Sequence, residues 1–128
     1  MPATATQPTS SGLDQNLAGL LSYLLGIITG IIFFAIEKEN RFVRFHAMQS
    51  IIFGAAMFVF WIAFTVLGGI LAVIPLIGWL ISALLGLVFG VGFFVLWIVL
   101  MVKAFQGEEW ELPVIGKYAR QYAGTVAV

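Results

Sequence analysis

From Phe45 through Val102 the sequence contains no Asp, Glu, Lys or Arg. A helix in water needs a polar outer face, and a soluble core of this size would need several such faces, so an uncharged run of this length is solvated by hydrocarbon. The composition agrees, with 62% of residues hydrophobic and 9% charged, far from the mix of a soluble domain. The expected fold class is all-α, a polytopic integral membrane protein.

Length sets the number of spans. About 20 residues of helix cross the roughly 30 Å hydrocarbon core of a bilayer, so the run holds two spans and a turn, and a third span would leave no room for connections. Gly68, Gly69 and the stretch Ile74 to Gly78 hold the residues that break or turn a helix, giving a second span over roughly His46–Ala72 and a third over roughly Trp79–Phe105. Leu17–Ile36 is apolar throughout and long enough to be the first. Three transmembrane helices are therefore expected within a transmembrane domain over 13–106. Ser22, Gly26 and Gly30 recur every four residues in the first span, as do Gly78, Ser82, Gly86 and Gly90 in the third. Small residues at that spacing stack on one helix face and let backbones approach, which pairs the first and third spans through two packing seams.

The flanks are polar. Met1 to Gly12 is rich in Thr, Ser, Pro and Ala, has too little apolar surface to offset its ordering entropy, and is expected to be a disordered N-terminal tail. It lacks the basic residues that open a signal peptide. Ser11 to Asp14 has the spacing of a capping box. Gly107 is placed to end the third helix, with a cytoplasmic or interfacial C-terminal tail over 107–128 in which Lys117, Tyr118, Arg120 and Tyr122 suit a short surface helix. With three spans, Lys38, Arg41, Arg44, Lys103, Lys117 and Arg120 all fall on one side and none on the other. By the positive-inside rule the N-terminus is then outside and the C-terminus cytoplasmic, in a prokaryotic plasma membrane.

The segment Glu37 to Ser50 separates the two apolar runs. Asn40 is suited to cap a helix starting at Arg41, and Phe42, Phe45, Met48 and Ile52 recur at helical steps, giving the second helix an amphipathic start. On this reading Arg41, Phe42, Arg44, Phe45, His46 and Gln49 contact lipid or a partner, the guanidinium groups on phosphates and the rings at the acyl boundary. Glu37 and Arg41 have i,i+4 spacing for an ion pair. His46, Gln49 and Ser50 either mark a polar pathway or simply hydrogen-bond a neighbouring helix. Glu108, Glu109 and Glu111 suit either a basic partner or a solvated tail.

No catalytic chemistry emerges. Cysteine is absent and there is one histidine, so thiol catalysis, disulfides and a metal centre are not expected. No intramembrane carboxylate pair, nucleophile with a base, or phosphate loop is present, nor any basic face for nucleic acid. No enzyme activity and no cofactor are expected, and the partners are membrane lipids, copies of the same chain, or other membrane proteins.

Phe42 to Ser50, together with Leu21 to Gly30, Pro75 to Trp79 and Leu112 to Gly116, resembles the small prokaryotic membrane proteins of the Tic20-like group, distant relatives of the chloroplast inner-envelope import component. The resemblance implies a subunit or accessory of a membrane complex, related to protein translocation. The alternatives are a homo-oligomeric channel or small-molecule transporter, and a lipid-organising protein acting through Arg41 and Arg44.

Overall fold

The charge-free run folds into two long antiparallel helices, and everything else gathers at one end of them. The computed structural model describes residues 7–124. Among these, five helices follow in order: α1 (Gln15–Leu24), α2 (Ile27–Ile36), α3 (Arg41–Leu71), α4 (Ile77–Phe105) and α5 (Ile115–Ala123). Only α3 and α4 are long and apolar enough to cross a membrane. Their register follows from aromatic contacts, with Gly86 facing Phe64, whose ring a Cβ there would meet at 3.6 Å, and with ring centroids 5.0 Å apart for Phe60 and Phe89 and 6.2 Å apart for Phe53 and Phe93. Toward the connection between them the two helices are bare, with Val66, Ile70, Val73, Leu80 and Leu84 exposed. The opposite end, called the head below, holds the start of α3, the end of α4 and all three short helices.

Leu17–Ile36, expected as one span, is instead a helical hairpin. Both of its ends lie beside Asn40, whose amide nitrogen donates to Gln15 Oε1 at 3.0 Å and whose backbone N–H donates to Glu37 Oε2 at 3.0 Å. At its tip, Ile27 lies against Gly54, and Phe33 packs against the cluster of Ala18, Phe42 and Val43. The cause is local. Gly26 has φ 61 and ψ −128, which residues with a side chain rarely adopt. Thr29 Oγ1 accepts from the Leu25 N–H at 3.1 Å and donates to the Ser22 carbonyl at 3.1 Å. Ser50 Oγ donates to the Gly26 carbonyl at 2.8 Å. The backbone groups freed by the break thus find partners, as they must away from water.

Ser10 donates to Glu37 through both its N–H and its hydroxyl at 2.9 Å, so the segment before the hairpin and the loop after it lie together. Residues 7–12, expected within a disordered tail, are tied to that loop; the remainder of that tail, 1–6, lies outside the described residues, as do 125–128. Helix α1 starts three residues later than the capping-box spacing implies, with its N-cap at Asp14 instead of Ser11. Asp14 accepts from the Asn16 N–H at 3.1 Å, while Ser11 Oγ accepts from the Leu13 N–H at 3.3 Å.

The other boundaries follow their sequence signals. Asn40 caps α3, accepting from the Val43 N–H at 3.0 Å. Gly107, at φ 82, closes α4 with a bond from the Glu108 N–H to the Lys103 carbonyl at 3.0 Å, the Schellman arrangement. Helices α4 and α5 begin with the same device. In Ile74-Pro75-Leu76-Ile77-Gly78 and Leu112-Pro113-Val114-Ile115-Gly116 the fourth residue's N–H donates to the proline carbonyl at 2.7 Å in both copies, around Leu76 at φ 64 and Val114 at φ 67. These are γ-turns with a left-handed centre, a rare and strained form. The glycine that follows lets the chain pack tightly, since a Cβ on Gly78 would overlap the Leu71 carbonyl and one on Gly116 would overlap Glu111.

Candidate functional site: a closed polar cluster in the head

The head of α3 presents Phe42, Val43, Phe45, His46, Ala47, Gln49, Ser50 and Phe53 to its neighbours, all buried. They are buried because α1 and α2 pack on one side of α3 and the segment after α4, with α5, packs on another. Phe42, Phe45, His46 and Gln49, expected at a lipid or partner surface, therefore lie inside the protein. The phenyl rings of Phe42 and Phe45 meet the His46 imidazole edge-on at 4.5 and 5.0 Å, and the Arg120 guanidinium covers Phe45 at 4.6 Å. Arg41 alone of the six is exposed. It borders a shallow groove with Gln7, Pro8, Glu39 and Asn40.

His46, Gln49 and Tyr23 form a cluster whose proton positions follow from its acceptors. His46 Nε2 lies 2.9 Å from the Glu108 carbonyl oxygen, which can only accept, so this nitrogen carries the hydrogen and Nδ1 accepts from the Tyr23 hydroxyl at 2.7 Å. The Tyr23 oxygen in turn accepts from Gln49 Nε2 at 2.8 Å. Gln49 also donates to the Trp110 carbonyl at 3.0 Å and accepts from the Leu112 N–H at 2.9 Å. Trp97 Nε1 closes the far side by donating to the Tyr23 carbonyl at 2.6 Å. Every hydrogen-bonding group of the trio is used, and the imidazole is neutral.

Arg44 does a different task. Its Nη1 donates to the Phe34 carbonyl at 3.2 Å and the Glu37 carbonyl at 2.5 Å, and its Nε donates to the Ala123 carbonyl at 2.6 Å, with the Phe34 ring 4.0 Å away. Carbonyls at helix C-termini lack partners within the helix and carry partial negative charge, and one guanidinium here serves the ends of both α2 and α5. Glu37 sits beside it, 1% exposed. Burial works to raise the Glu37 pKa, but hydrogen bonds from Asn40, Ser10 and Glu39 outweigh it and hold the carboxyl below its ordinary value. The expected Glu37–Arg41 pair does not form, because those hydrogen bonds engage the carboxylate. Arg120 is paired with Glu109 at 2.5 Å and with Glu111. Burial works to lower its pKa, and the hydrogen bonds and charges of Glu111 and Glu109 prevail and raise it.

The two glycine seams do not meet. Ser22 donates to the Ala18 carbonyl at 2.9 Å, Gly26 forms the hairpin tip, and Gly30 packs on α3, where a Cβ would lie 3.0 Å from the Ala47 carbonyl and 3.1 Å from Ser50 Cβ. Gly78 belongs to the turn, the Ser82 hydroxyl is buried without a hydrogen-bond partner, and Gly86 faces α3. Gly90 borders a cleft of about 320 Å³ between α3 and α4, below the hairpin tip, with Phe53, Met57, Trp61, Phe93 and Trp97 on its walls. The kink at Gly26 is the physical reason: it turns α2 away from α4 and onto α3. Sequence reasoning missed Tyr23, Trp97 and the carbonyls of Glu108 and Trp110. An aromatic hydroxyl inside an apolar run signals Tyr23, whereas main-chain partners leave no sequence mark. Among the described residues no group of three His, Asp or Glu is placed to hold a metal ion.

Two long bare apolar helices joined to a head whose buried polar groups close on one another define a helical membrane protein. The chain belongs to the magnetosome magnetite crystal formation protein family, which its residues 10–119 match. It is 50% identical to a UPF0132 membrane protein of Methanocaldococcus jannaschii over 90% of this chain and 94% of the relative. A second protein of that name from the same organism is 41% identical over 87% of this chain and 71% of the relative. A UPF0132 membrane protein of Archaeoglobus fulgidus is 46% identical over 89% of this chain and all of its own length. No solved structure matches. The kinship with Tic20-like proteins is thereby overturned, and the link to protein translocation falls with it. The segment that suggested it, Phe42 to Ser50, is the buried packing face of α3.

Proposed function

We propose that this chain is a non-enzymatic structural subunit of a membrane assembly, crossing the bilayer twice through α3 and α4 with both described ends on the cytoplasmic side. The observation that carries this reading is the division of labour along α3. In the head, Tyr23, His46, Gln49 and Arg44 spend their hydrogen bonds on the chain itself, so no reactive group is aimed at a cavity. Beyond Gly54 the spans are bare, and Gly69 and Gly92 face open space, where an added Cβ would meet nothing within 4 Å. Exposed glycine on a membrane helix suits close approach by another helix, and a second copy supplies one. The basic residues favour the cytoplasm for the head.

The absence of cysteine makes a clean test. Single cysteines introduced as Gly69→Cys or Gly92→Cys should form disulfide-linked dimers in native membranes, with Lys117→Cys as the negative control. A monomeric mass in native-like lipid, with no cross-linking at either glycine, would sink the self-assembly reading. For topology, Ser11→Cys and Lys117→Cys should both be shielded from an impermeant maleimide in intact cells. Labelling of Ser11→Cys alone from outside would restore three spans.

A further inference from the structure

The hairpin α1–α2, helix α5 and the two long helices are distributed unequally along the molecule. Beside Arg44 to Gln49 the α3 backbone is flanked by α1, α2 and α5 as well as by the end of α4; beside Leu67 it is flanked by α4 alone. The hairpin tip reaches Gly54, 54 − 41 = 13 residues below the start of α3, or about 20 Å at 1.5 Å per residue. A hydrocarbon core of roughly 30 Å measured up from the α3–α4 connection takes about 20 residues and so ends near Ile52. The tip therefore stands at the boundary between acyl chains and headgroups on the head side.

Its chemistry suits that boundary. Leu25, Ile28, Ile31 and Ile32 are exposed at 62%, 59%, 52% and 46%, with both ends of the hairpin returning to polar partners on the same side. Nearer the start of α3, beside Arg44 and Phe45, α5 turns Lys117, Tyr118 and Tyr122 outward, the two rings stacked at 6.5 Å, and tyrosine and lysine favour membrane interfaces. We infer that the head is a wedge in one leaflet: it displaces lipid at the headgroup boundary on its own side, leaves two helices in the opposite leaflet, and so favours bilayers convex toward the head. The ligand is a lipid surface, selected by curvature and not by headgroup. The inference rests on the two-span topology proposed above.

The test uses the full chain carrying a fluorophore on Ser11→Cys or Lys117→Cys, reconstituted in giant vesicles of neutral phosphatidylcholine from which a thin membrane tether is drawn. Quenching by an impermeant reagent reports which molecules have the head outside. For these, protein density in the tether should exceed that in the flat membrane by about twofold or more, since interfacial insertion is sensitive to curvature, and molecules with the head inside should be depleted. A ratio of one for both orientations overturns the wedge while leaving the topology intact. Quenching of the two labels from opposite sides overturns the topology, and the wedge with it. A variant with Ile28→Asn and Ile31→Asn, if it folds, should bring the ratio toward one.

Discussion

Arg44 is the residue on which the head converges, because three carbonyl oxygens from two helix ends depend on it. Hydrogen bonds from a charged donor contribute roughly 1.5–3 kcal/mol each, and Arg44→Met removes all three while keeping the aliphatic stem. The expected loss is about 3 kcal/mol or more, read from reversible unfolding in mixed micelles. Tyr23→Phe takes away one hydroxyl and leaves His46 Nδ1 without its donor, for an expected loss of roughly 1–3 kcal/mol. Glu37 predicts a pH dependence. Its folded pKa lies below the unfolded value, taken as the ordinary 4.5, so its contribution is complete above that value and is lost as pH falls through the lower folded pKa. Wild type should lose stability across that acid window, and Glu37→Gln should show a smaller loss there from a lower starting point. The polar positions themselves were legible in the sequence, since Arg44, His46 and Gln49 interrupt an apolar stretch. Their partners were not, because the Glu108, Trp110 and Ala123 carbonyls belong to a backbone common to every residue.

At the scale of the elements, charge and length were a sufficient guide to α3 and α4 but not to α1 and α2. Leu17–Ile36 meets the length requirement for a span, and nothing in its hydropathy distinguishes a helix that crosses from one that turns back. The distinction lies in Gly26 and Thr29, one supplying the backbone conformation and the other satisfying the groups that the break exposes. Gly26→Val should therefore cost roughly 1–3 kcal/mol from backbone strain, visible as faster proteolysis of the N-terminal segment. The repeated Pro-x-Ile-Gly turns make the opposite prediction. Val114→Gly relieves a left-handed position on the surface, and should raise stability by up to about 1 kcal/mol, the added freedom of the unfolded chain offsetting part of the relief. Gly116→Ala should undock α5, since a Cβ there meets Glu111, and the loss should appear as hydrogen exchange confined to α5 and Arg44's partners.

The whole molecule is a polar, internally bonded head on a bare hydrophobic hairpin. Composition revealed the membrane and the grouping of basic residues, but the relation of the N-terminal segment to the first loop depends on contacts between Ser10 and Glu37 that spacing does not specify. The same arrangement constrains how the chain can be made. Ala123 follows Arg44 by 79 residues, and at roughly 5–20 residues per second the nascent chain takes about 4–16 s to supply it. During that interval the hairpin can dock and α2 can claim its share of the guanidinium, while the seat of α5 stands empty and His46 and Gln49 lack the carbonyls of Glu108 and Trp110. Biogenesis thus passes through a half-closed species with buried donors awaiting the last helix, and the time spent in it is set by the ribosome.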